Sequence, residues 1–188
     1  MKTRQVFVSH TSDMAEFPGD RSFVRAALDA VSRAGMAPVD MRYFAARGSE
    51  PAVYCQQRVR SCEIYVAVVG FRYGSVAPGT AMSYTELEFK EATAAGLPRL
   101  VFLQDETASR PSPAADADRS MVEAFRQRLR LAGLIVRSFS SGADLELEVF
   151  QRGRHIDTLR ATGTASFELG AFEAHRQQRA AKALQIGF

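Results

Sequence analysis

The sequence predicts an α/β fold, a doubly wound five-stranded parallel sheet followed by a C-terminal helical extension. Three observations carry that expectation. Short apolar runs rich in Val, Ile and Phe recur along the chain and alternate with stretches of helical period. The most apolar of these, residues 63–70, shows no polar alternation, as suits a strand covered on both faces. Parallel neighbours also need crossover connections, which the intervening helices would supply with the usual right-handed sense.

The first strand is read over residues 4–9, and it ends in the polar stretch Ser9, His10, Thr11, Ser12, Asp13. A helix from about Asp20 places Phe23, Ala27, Val31 and Ala34 on one face, with Gly35 as its stop. Residues 36–41 read as the second strand and 42–50 as a loop carrying Tyr43 and Phe44. Pro51 suits the first turn of the next helix, whose Ala52, Cys55, Val59 and Cys62 form a stripe. The central strand, 63–70, follows. A turn-rich loop over 71–79 leads to a helix over 83–95 that stops at Gly96. Residues 98–104 give the fourth strand, 105–117 an exposed loop, 119–132 a helix and 134–139 the fifth strand. The sheet domain is expected to span residues 1–150. Residues 151–188 read as an extension or the start of a linker, with a helix over 167–184.

Composition narrows the function classes. The chain has 188 residues, 46% hydrophobic and 24% charged, which fits one folded domain rather than a disordered chain. No apolar window reaches the roughly 18 residues of a membrane span, and the polar start lacks a signal peptide's apolar stretch, so a cytoplasmic location is expected. The net charge of +3 is concentrated toward the end: residues 119–188 carry 11 basic and 7 acidic groups. With no recognition-helix, zinc-finger or base-stacking signature beside it, that excess reads as a solvated or partner-facing surface rather than a nucleic-acid site. Cys55 and Cys62 stand seven residues apart in a helical stretch, about 10 Å along the axis and beyond disulfide reach, so they read as buried thiols. His10, His155 and His175 are scattered and suggest no zinc site.

In open parallel sheets, ligands bind beyond the carboxyl ends of strands where the strand order reverses. For a five-stranded sheet of flavodoxin-like order, that point lies between the first and third strands. The loops leaving those strands contain Ser9, His10, Ser12 and Asp13, and Arg72 and Tyr73. Ser9, His10, Ser12 and Asp13 suit ribose or phosphate oxygens, or else the capping and turn chemistry before the first helix. Tyr43, Phe44, Phe71 and Tyr73 are of the type that stacks on a base, and also of the type that packs back on its own domain. The next helix opens Ser83-Tyr-Thr-Glu86, a capping-box pattern in which Ser83 accepts from the amide of Glu86 and the glutamate reaches back. A carboxylate there is held ionised by the helix dipole and suits a site where positive charge develops, as when a sugar-to-base bond breaks. There is no Gly-Lys-Ser/Thr loop and no Gly-x-Gly-x-x-Gly fingerprint.

Val6-Phe-Val-Ser-His10 with Asp13, Tyr65-Val-Ala-Val-Val-Gly70 and Ser83-Tyr-Thr-Glu-Leu-Glu-Phe89 together resemble the Toll/interleukin-1 receptor (TIR) superfamily. A closer resemblance is to an uncharacterised TIR-like family found at the N-terminus of bacterial STAND-type signalling ATPases. Met41-Arg-Tyr-Phe44, Arg72-Tyr-Gly74 and Val101-Phe-Leu add to that match. The resemblance implies a TIR-like sheet, cleavage of NAD at the nicotinamide-ribose bond in bacterial immune or stress signalling, and self-association that completes the site. It makes Glu86 the catalytic glutamate and Glu88 the offset alternative. The two are about 200° apart around the helix, so both cannot face one site. It also makes Ser9, His10, Ser12, Asp13, Phe44, Arg72, Tyr73 and Ser83 substrate-binding residues. NAD enters as substrate, with no cofactor, and no metal is needed because nicotinamide already leaves as a cationic group's neutral product. The tryptophan that many TIR domains carry before the catalytic helix is missing. Two other readings stand beside this one: an interaction module in which Glu86 is only a cap, and an activity like that of nucleoside deoxyribosyltransferases.

Overall fold

A computed structural model describes residues 3–40, 51–108, 116–132 and 135–161. Five strands, β1 (Gln5–His10), β2 (Ala37–Asp40), β3 (Ile64–Val69), β4 (Arg99–Gln104) and β5 (Ile135–Phe139), form one sheet in the order β2-β1-β3-β4-β5. All four pairings are parallel. Helices α1 (Ser12–Glu16), α2 (Phe23–Arg33), α3 (Pro51–Arg60), α4 (Tyr84–Ala94), α5 (Asp116–Leu131) and α6 (Gly142–Ala161) connect and cover them. The expected α/β architecture of flavodoxin-like order is therefore the observed one, with β1 and β3 adjacent at the reversal of strand order.

Alternation along the strands divides the core. Val6, Val8, Ile64, Val66, Val68, Leu100 and Phe102 pack on one side with Phe23, Ala27 and Val31 of α2 and Leu145 and Val149 of α6. Phe7, Tyr65, Ala67, Val69, Val101 and Leu103 pack on the other with Val59 of α3, Phe89 of α4 and Phe125 and Leu129 of α5. Every residue of β3 and β4 is buried, which accounts for the unbroken apolar run of β3 and for that of Leu100–Leu103 within β4.

Two helices depart from the sequence reading. Residues 12–16 form the single short helix α1 rather than continuing as a loop, and its Met14 is fully buried. Residue 150, the expected end of the sheet domain, lies inside α6, whose buried Ile156 joins the core beyond it. Gly153 would ordinarily argue against a helix there. It fits because α6 crosses so close to Met36 that a Cβ would stand 2.8 Å from the methionine methyl. The loop over 42–50, with Phe44, and the helix expected over 167–184 lie outside the described residues. Among the described residues no helix is long and apolar enough to cross a membrane.

Candidate functional site at the strand-order reversal

The carboxyl ends of β1 and β2, with the facing residues of α3 and α4, present a cluster of buried polar groups next to β3. Ser9 is on the face of β1 that α4 covers, and its hydroxyl donates to Glu88 Oε2 at 2.5 Å. Both partners are buried. Burial pushes the Glu88 carboxyl up to about 7, against the opposing pull of the Ser9 hydroxyl, the charge of His10 and the Cys55 thiol. The same carboxyl, second to burial, helps push Cys55 up to about 12, so that thiol stays protonated. Burial also holds the Tyr65 phenol, a neighbour of Ser9 and Glu88, well above its usual value.

His10 and Asp40 lie at the adjoining ends of β1 and β2. Nε2 of His10 is 3.1 Å from Asp40 Oδ1, and Nδ1 is 3.0 Å from the Thr11 carbonyl oxygen. Both ring nitrogens thus face oxygen atoms, which fixes the plane of the imidazole between the ends of β1 and β2. Ser12 is exposed at the start of α1, and Asp13 is buried and accepts from the Thr11 hydroxyl.

Glu86 points elsewhere. The Ser83 hydroxyl accepts from its amide at 3.2 Å, so the first half of the expected capping box is formed. The second half is replaced: the Glu86 carboxylate takes a bond from the Tyr73 hydroxyl at 2.6 Å and is gripped by Arg128 Nη2, 2.9 and 2.8 Å from its two oxygens. Burial first, and then Glu86, hold the Tyr73 phenol above its ordinary value. The rotation of about 200° between positions 86 and 88 explains the split. One carboxylate turns toward α5, and the other toward α3 and the end of β1. Ser83, with its side chain fully buried, is the cap of α4. Ser83→Ala should cost about 1 kcal/mol in a denaturant titration, since one helix-end amide loses its acceptor.

Of the residues expected from the sequence, the structure thus joins Ser9 to Glu88, the offset alternative, and not to Glu86. Tyr73 and Ser83 belong with Glu86, Arg72 is exposed on the β3–α4 connection, and Phe44 lies outside the described residues. Sequence reasoning missed Asp40 and Arg128, and it read Cys55 correctly as a buried thiol but not as a neighbour of Glu88. Only a signal of tertiary contact could have found them, since none lies in a local pattern with its partner. Among the described residues no group of three or more His, Cys, Asp or Glu is placed to hold a metal ion.

Fold and site together define an α/β protein with a buried carboxyl and its hydroxyl donor at the strand-order reversal. Residues 5–153 match the family described as Domain of unknown function (DUF4062), and the chain belongs to that family. No curated protein matches it.

Proposed function

We propose that the chain is a TIR-like nucleotide glycohydrolase that cleaves NAD at the nicotinamide-ribose bond, with Glu88 in the role the motif resemblance gives to Glu86. The observation that carries this reading is the Ser9–Glu88 pair: a buried carboxyl, oriented by a hydroxyl, beside the β1/β3 reversal where open parallel sheets take their ligands. When ionised, Glu88 faces the positive charge that spreads over the ribose as the glycosidic bond lengthens, and a buried setting strengthens that attraction. The leaving nicotinamide departs neutral from a cationic ring, so the step asks for no general acid. Glu86 cannot serve in the same way without giving up Arg128 and Tyr73, and it is a structural tie.

Self-association is part of the proposal, on the strength of the same resemblance. The test is therefore made on the full chain fused to a forced oligomer and incubated with NAD and with a panel of nucleosides. Mass spectrometry should find nicotinamide together with ADP-ribose or its cyclised form. Intact NAD with a cleaved nucleoside would move the activity to the deoxyribosyltransferase-like class. An assembled chain inert toward every substrate would leave only the interaction module.

A further inference from the structure

Arg126 has the largest fully buried side chain among the described residues. Its Nη1 donates to the carbonyls of Gly70 at 2.9 Å and Val69 at 3.3 Å, and Nη2 donates to the carbonyl of Gln104 at 2.8 Å. These carbonyls mark the ends of two neighbouring strands, β3 and β4. The guanidinium also lies 4.4 Å over the ring of Phe71. A guanidinium is a costly way to fill a core, since apolar side chains of similar volume are often as stable or more so in place of buried ionic groups. Its fork instead fixes the geometry of several acceptors at once.

Two residues further along α5, Arg128 holds Glu86 in the first turn of α4. The two arginines therefore grip opposite ends of one segment, the β3–α4 connection. Between those ends the connection is closely fitted. A Cβ on Gly70 would stand 2.5 Å from the Met14 methyl, and Gly74, at φ +86°, would bring one within 3.0 Å of Thr11 Cγ2. Val76 bridges to Ser83, which caps α4, and the seating of α4 sets Glu88 against Ser9.

We propose that α5 is a bracket for the site: Arg126 and Arg128 are positioning residues that fix both ends of the β3–α4 connection and thereby the register of Glu88 against Ser9. Neither touches the reacting atoms. The catalytic half of this inference rests on the glycohydrolase reading, whereas the structural half stands without it.

Hydrogen exchange of the full chain, read by mass spectrometry, tests the structural half. In Arg126→Met and Arg126→Lys, exchange should quicken about tenfold or more across residues 70–88, while α2 and α6 keep their protection. Lysine retains the charge but offers one ammonium, which lacks the planar fork. Arg128→Gln should loosen only the first turn of α4. Unchanged protection in both Arg126 variants, or a loss spread evenly through the molecule, would make Arg126 a core filler and overturn the bracket.

Turnover by the assembled chain tests the rest. Arg126→Lys should lower kcat about 10- to 100-fold with KM little changed, because a small displacement of Glu88 penalises the reacting geometry more than binding. Quickened exchange with unaltered kcat would overturn the positioning role. A wild type without turnover would instead count against the glycohydrolase reading, and the exchange measurement would still decide the bracket.

Discussion

Folding stability should fall by about 3 kcal/mol between pH 4.5 and pH 8 on account of Glu88 alone, and Glu88→Gln should remove that loss. The folded protein holds this carboxyl at about 7, raised from 4.5 chiefly by burial. Between those values the folded state binds a proton that the unfolded chain has released. The contribution is full below about pH 4.5, and it is lost as the pH rises through about 7. Glutamine keeps a carbonyl that can accept from Ser9 but has no proton to lose. Denaturant titrations of the two proteins at pH 4.5 and pH 8 check this: the variant should gain on the wild type by about 3 kcal/mol at the higher pH. Comparing the two proteins at each pH removes what they share and leaves the part that depends on the Glu88 carboxyl.

The second large effect concerns turnover and runs the opposite way with pH. If ionised Glu88 meets the positive charge developing on ribose, kcat/KM, which titrates with the ligand-free protein, should fall about tenfold per pH unit below about 7 and level off above it, so that at pH 5 it is about 100-fold below the plateau. The proposed working form is thus the one that burial disfavours, and activity should be greatest where Glu88 stabilises the fold least. A stopped assay of NAD consumption over pH 5–9 reads the limb directly. The reverse profile, with loss above pH 7, would give Glu88 a proton to donate and point to a substrate whose leaving base must be protonated.

Much of the fold was legible because the sheet is so thoroughly covered. Strands such as Ile64–Val69, all six residues buried, have to be apolar on both faces and so stand out without any knowledge of their partners. Ser83 and Gly96 likewise announced the limits of α4 by local chemistry, the first as a cap and the second with φ +65° after it. Short α1 was hidden because five residues are too few to display a period. The sequence reading places no helix over 142–161, where α6 lies; Gly153 fits within it because Met36 packs against it.

The site was legible in place but not in detail. Strand order put the polar residues after β1 near the helix after β3, and the Glu-Leu-Glu motif supplied two carboxylates of which one alone could face Ser9. A local pattern favoured Glu86, since Ser83 and Glu86 fit a cap at the right spacing. What turns Glu86 away is Arg128, 42 residues further along the chain, and what keeps Glu88 is Ser9, 79 residues before it. Contacts at such separations leave no periodic trace in one sequence.

The central claim is that Glu88, and not Glu86, is the carboxylate that acts. Its most direct test is NAD turnover by the assembled chain carrying Glu88→Gln or Glu86→Gln, each shown by circular dichroism to be folded. The account predicts that Glu88→Gln lowers kcat by about 100-fold or more, while Glu86→Gln, which loosens a tie to a half-exposed arginine, stays within about tenfold of wild type. Loss of turnover in Glu86→Gln with Glu88→Gln left active would contradict it.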